Sequence, residues 1–203
     1  IIMNPPSSAP FQIQESDPQQ IHDVFSAQLD TAIRWRVSTA DERIGRIKRL
    51  RAAVLAKRDV FYEAFAKDYR KPIAEVDVTE LMPVLDEMRH AIGRLKQWMK
   101  PQKVNATSLM LTTSAWIQYQ PRGRVLIIAP WNYPLNLCFG PLVSALAAGN
   151  TAIIKPSEMM PNVSAVMAQI IREVFPAHEV ALFEGGLPTA ETLLSLPFDH
   201  IFF

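Results

Sequence analysis

Cysteine is almost absent, with Cys138 alone in 203 residues. No intrachain disulfide can form, which excludes a disulfide-stapled secreted scaffold and points to a reducing, cytoplasmic setting. Glycine is scarce at 7, and no G-x-G-x-x-G run occurs, so the commonest phosphate-cradling fingerprint is missing. Charge of one sign is missing too. The 21 Lys+Arg nearly cancel the 20 Asp+Glu, leaving +1, without the clustered basic excess of a nucleic-acid or membrane-surface binder. Long hydrophobic runs are lacking. The most apolar stretch, 135–149, carries Asn136 and Pro141 and is too short to span a bilayer, so no membrane span is expected. The N-terminus has no basic segment ahead of an apolar core, so no signal peptide is expected. His22, His90, His178 and His200 are scattered, without metal-ligand spacing. What remains is an ordinary globular composition, 49% hydrophobic and 20% charged, with proline raised to 16. The length allows one large domain, or one domain with a small appendage.

Residues 1–16 are polar, proline-rich and aperiodic, and read as a flexible arm. Helical signals fill 17–103. Asp17-Pro18 is a cap followed by a first-turn proline. Thr39 with Glu42 three residues on is a capping box, and Ile44, Ile47, Leu50 and Val54 behind it form one apolar stripe. A third helix is expected over 59–67. A fourth is expected over about 75–100, kinked or split by Pro83 and stopped by Pro101. The period then changes. Segments 108–113 and 114–120 read as the two strands of a hairpin within 104–121. A lone hairpin is marginal in water, so it needs a partner, and a second subunit is one candidate.

From residue 122 strands and helices alternate. Apolar runs at 125–129, 151–154 and 180–183 are separated by helical patterns at 134–148 and 163–175, and a short helix at 190–196 precedes a fourth strand at 200–203. This β-α-β-α-β-α-β order predicts an α/β fold with a doubly wound parallel sheet and right-handed crossovers. The sheet is expected to be incomplete at the C-terminus, because the sequence stops inside an apolar strand.

In an open parallel sheet, ligands bind outside the carboxyl ends of the strands. Three such ends carry candidate chemistry. The first is Ala129-Pro-Trp-Asn-Tyr-Pro134, where two prolines fix the backbone around Trp131, Asn132 and Tyr133. The Asn132 amide can donate to a developing oxyanion, although an asparagine in a rigid turn is more often a cap. The second is Lys155-Pro-Ser-Glu158, where an ammonium and a carboxylate could grip a ribose diol or could simply be a solvated pair. The third is Glu184-Gly-Gly186, where paired glycines permit close approach or make a plain turn. Cys138 lies in the apolar 135–149 helix and reads as an inert core thiol.

At PWNYP (130–134) and KPSE (155–158) the chain resembles the aldehyde dehydrogenase superfamily. The likeness extends through GPLVSALAAGN (140–150), EGG (184–186) and LPFDHIFF (196–203). Residues 80–101 and 112–123 are most similar to the class 3 and coniferyl-aldehyde branch. The resemblance covers about residues 20–203 and implies a Rossmann-like NAD(P)-binding portion over 122–203. It implies Asn132 as donor to the thiohemiacetal oxyanion, with Ala129, Pro130 and Trp131 at the nicotinamide end and Tyr133 in the aldehyde tunnel. It places Lys155 and Glu158 on the adenosine ribose, counts Ser157 among the cofactor-binding residues, and sets Gly186 on the adenine side and Phe203 at the turn under the pyrophosphate. NAD is the implied cofactor, with NADP possible, and the implied partner is a second copy paired through 112–120. The family's nucleophilic Cys and general-base Glu would lie beyond Phe203. The chain is therefore expected to be an N-terminal portion, inactive alone. The alternative is a short non-catalytic nucleotide-binding or dimerising module.

Overall fold

A computed structural model describes residues 13–105 and 113–203. Eight α-helices and six strands occur among them: α1 (Pro18–Trp35), α2 (Ala40–Ala56), α3 (Arg58–Tyr69), α4 (Ile73–Val76), α5 (Met82–Trp98), β1 (Gln102–Val104), β2 (Ala115–Ile117), β3 (Arg124–Ile128), α6 (Pro134–Ala148), β4 (Thr151–Lys155), α7 (Pro161–Val174), β5 (Val180–Leu182), α8 (Leu187–Leu194) and β6 (His200–Phe202). A π-helical turn, Asp77–Leu81, joins α4 to α5.

β3 to β6 form one parallel sheet in the order β5-β4-β3-β6. Successive strand residues point to opposite faces, and the buried sets divide accordingly. Val125, Ile127, Ala152, Ile154 and Val180 face a core built with α2, α3, α5, α6 and α7. Leu126, Ile153 and Ala181 face Ile21 and Phe25 of α1 and Leu193 of α8. Helices on both faces make the sheet doubly wound, as the alternation of periods predicts. β3, β4 and β5 carry continuous apolar runs because both their faces are covered, whereas β6 at the sheet edge is exposed.

Local rules fix the helix ends. Asp17 accepts from the Gln19 N–H at 3.0 Å, and Thr39 and Glu42 form the reciprocal capping box. α6 ends at Gly149 with φ +87, where a Cβ would lie 2.6 Å from the Arg43 guanidinium carbon. That guanidinium donates to the carbonyls of Ala147 and Ala148 at 3.1 and 2.8 Å, so a left-handed glycine and a cation close the helix together.

Three expectations need correction. Residues 13–16 are not a free arm. Glu15 accepts from the backbone N–H groups of Gly186 and Thr189, and Ser16 Oγ donates to the Glu184 carbonyl at 2.5 Å. Polarity and proline content gave no sign of this, because the donors it meets lie some 170 residues away. In the hairpin, β2 pairs antiparallel with β1 in the register Lys103↔Trp116, a strand that lies outside the expected partner segment 108–113. Of that expected partner strand, residues 108–112 lie outside the described residues. Third, the break in the fourth helix lies ahead of Pro83, not at it. Pro83 sits in the first turn of α5, where a missing N–H is tolerated, directly after the π turn. The Thr79 carbonyl, to which Pro83 has no N–H to offer, accepts from Asn136 Nδ2 at 3.3 Å.

Candidate functional site

All four sheet strands run parallel, so their carboxyl ends line one edge of the sheet. The chain steps from β3 to β4 to β5, then returns to place β6 beside β3. The order therefore reverses between β3 and β6, and that crevice is where an open α/β sheet holds ligands. The turn after β3 carries Trp131, Asn132 and Tyr133 to this edge, and Phe203 follows β6.

Ala129 is buried, and its N–H donates to the Lys155 carbonyl at 3.1 Å, locking the ends of β3 and β4 together. The chain then emerges at Pro130. Trp131 is 43% exposed, and Asn132 and Tyr133 are also exposed. Tyr133, not Asn132, occupies the cap position of α6, and no side chain caps the helix from there. The turn-cap explanation of Asn132 therefore loses its helix. The Tyr133 ring lies 4.7 Å from Lys71 Nζ, and the Trp131 ring stands 5.8 Å from that of Tyr69.

At the end of β4, Lys155 is buried and Glu158 is partly open. Lys155 Nζ donates to the Pro156 carbonyl at 3.0 Å and to Glu158 Oε2 at 3.1 Å. A surface pair would leave both groups solvated; here the ammonium side chain is 6% exposed. Glu158 is held below its ordinary carboxylate value, first by a backbone N–H and also by Lys155. A buried donor beside a half-open acceptor fits a vicinal diol, which needs one of each. Ser157 is turned to local use: its Oγ accepts from the Met159 N–H at 3.3 Å.

At the end of β5, Gly185 has φ +146, and a Cβ there would lie 2.1 Å from Thr189 Oγ1, so only glycine fits. Gly186 starts α8, but its N–H already donates to Glu15 Oε2 at 3.0 Å. A ligand would meet its surface and not a free donor. A groove of about 840 Å³ runs between these two strand ends, lined by Ser157, Glu158, Gly185 and the segment 13–17. Sequence reasoning missed Glu15 as a wall of this groove. Phe203 is 95% exposed beyond β6, with no described wall around it.

Cys138 is fully buried in α6. Burial pushes its thiol far above the ordinary value, and the Glu80 carboxylate adds to this, so it stays protonated and unreactive. Among the described residues no three His, Cys, Asp or Glu side chains cluster to hold a metal, and no helix is long and apolar enough to cross a membrane.

Comparison with known proteins identifies the family and the fold. The model of the Aldehyde dehydrogenase family matches residues 3–201. Aldehyde dehydrogenase family 3 member B1 of Bos taurus is 36% identical over 181 residues, covering 89% of this chain and 39% of the relative. A substrate-bound structure of Staphylococcus aureus AldH superposes with a TM-score of 0.88 at 38% identity, covering 90% of this chain and 40% of that one. The fold is shared at a TM-score of 0.78 and 21% identity by a Mycobacterium tuberculosis aldehyde dehydrogenase solved as a complex with NAD+, covering 93% of this chain and 38% of that one. The chain thus spans about two fifths of the length of such relatives. With a doubly wound sheet, a proline-bounded Trp-Asn-Tyr turn at its switch point and a family match over almost its whole length, the chain belongs to the aldehyde dehydrogenase family.

Proposed function

We propose that this chain is the N-terminal part of an NAD(P)-dependent enzyme that oxidises an aldehyde to a carboxylic acid through a cysteine thiohemiacetal. The nucleophilic Cys and general-base Glu lie beyond Phe203 in this reading, since the thiol of Cys138 is buried and protonated. The observation that carries it is Asn132: an exposed amide on a turn bounded by Pro130 and Pro134, at the sheet's switch point, not engaged as the helix cap. An oxyanion donor must be in place before charge develops, and a turn with fixed φ at both ends meets that need. Ala129, Pro130 and Trp131 line the nicotinamide end, and Tyr133 borders the aldehyde.

Lys155 donates to the adenosine ribose and Glu158 accepts from it, while Gly186 and the groove wall border the adenine. Bound NAD supplies the hydride acceptor. Glu158 and Glu15 both face the groove, and their charges oppose a 2′-phosphate, so NAD is preferred over NADP. A second copy pairs through 112–120, where β2 presents Trp116 and Ile117 to solvent.

The test uses the family-length protein with aldehyde and NAD. Asn132→Ala lowers kcat by about 10²–10³ while NAD affinity and melting temperature hold. A variant that melts early but turns over normally removes Asn132 from the mechanism.

A further inference from the structure

Beneath the turn that carries Asn132 lies an ion pair with no access to water. Lys71 Nζ and Glu80 Oε1 are 2.8 Å apart, with side chains 2% and 0% exposed. Burying two charges is costly, and an apolar pair of the same size often does as well or better, so stability does not explain the pair. Its contacts point elsewhere. Glu80 Oε2 accepts from the Asn136 N–H at 3.1 Å, in the first turn of α6. Asn136 Nδ2 returns a hydrogen bond to the Thr79 carbonyl at 3.3 Å. α6 has no cap of its own, so the carboxylate from the π turn takes that role from another element. Lys71 meanwhile sits 4.7 Å from the Tyr133 ring and 5.6 Å from the Tyr69 ring, and Tyr69 packs on Trp131. Both aromatic neighbours of Asn132 are therefore tied, directly or through one ring, to the same buried pair.

We propose that Glu80, held by Lys71, is a positioning residue that presets the 130–134 turn and so aims the Asn132 amide. This rests on the reading of Asn132 as an oxyanion donor. Glu80 acts by anchoring the helix that begins at Pro134, and Lys71 by holding Glu80 and bracing the Tyr133 ring. Neither touches the reacting atoms.

The test is a cycle of variants in the family-length protein. Lys71→Met with Glu80→Met removes both charges together, leaves no unpaired ion and keeps the volume, so the fold is retained. The expected result is a protein that still folds cooperatively, with unchanged NAD affinity and kcat lower by about 10–100-fold, the effect of a small misplacement. Lys71→Met with Glu80→Gln keeps an acceptor for the Asn136 N–H and recovers most of kcat. Adding the Met pair to Asn132→Ala costs less than about twofold more, because both act on one step. Full kcat in the Met pair overturns the proposal, as does an undiminished loss in the Asn132→Ala background. Full kcat in Asn132→Ala alone is a separate outcome, which removes the oxyanion donor on which the proposal depends.

Discussion

At the scale of single residues, the site is a contrast between buried and open polar groups. Lys155 is buried and Glu158 is half-open, so the pair is fixed on one side and free to exchange partners on the other. Lys155→Ala removes a charge-assisted donor, a loss of about 1.5–3 kcal/mol, or roughly 10–100-fold in NAD affinity. Titration calorimetry checks this, with acyl transfer expected to change little. NAD affinity equal to the parent's would take the Lys155 pair out of the cofactor site. Cys138 is the opposite case. It is a chemically competent atom that burial silences, and Cys138→Ala leaves turnover of the family-length protein unchanged. A variant that folds but loses turnover would mean the thiol takes part after all.

At the scale of elements, the segment 13–16 and α8 form a unit that pH can open. Glu15 is held below its ordinary value of 4.5, first by the Thr189 hydroxyl and then by the Gly186 and Thr189 N–H groups, against the opposing effect of burial. A carboxyl with a lowered folded value adds stability above its unfolded value and loses it as pH falls through the folded one. The contact is therefore intact at neutral pH and released in acid below 4.5. Amide exchange at Gly186 and Thr189, corrected for its intrinsic pH dependence, should become less protected there, with the ends of β3 and β4 unaffected. Protection that persists in acid, or that is unchanged in Glu15→Gln at neutral pH, would show that Glu15 does not hold the segment. The hairpin teaches the converse. Every residue of β1 and β2 is exposed, and two short strands are marginal without a further surface.

At the scale of the whole molecule, the proposed function divides the chemistry between this chain and the rest of a family-length protein. In the proposed reading the 203-residue chain supplies a sheet edge, half of a nucleotide groove and one oxyanion donor, while its one thiol is buried. Mixed with aldehyde and NAD, it should produce no reduced cofactor, followed by absorbance. Turnover that vanished on Cys138→Ala would refute both this and the reading of Cys138 as core. Association through the hairpin can be followed by sedimentation. Trp116→Asp should shift any dimer toward monomer, and an unchanged profile would move the interface elsewhere.

The alternation of apolar runs with helical periods, the capping box at Thr39 and the strand-end positions of Asn132 and Lys155 were all legible in the sequence, because they depend on neighbours within a few residues. The resemblance at PWNYP and KPSE added roles that spacing could not distinguish from a turn cap or a solvated pair. Tertiary structure decided the rest. It paired β2 with β1, since strand partners are selected across a loop and not by local pattern. It brought Glu15 onto Gly186 from across the chain. It buried Lys155 and left Glu158 half-open. It buried Glu80, which lies in the π turn ahead of Pro83, beneath the Asn132 turn. Burial and long-range hydrogen bonds are properties of packing, and no local pattern encodes which distant donor a carboxylate will meet.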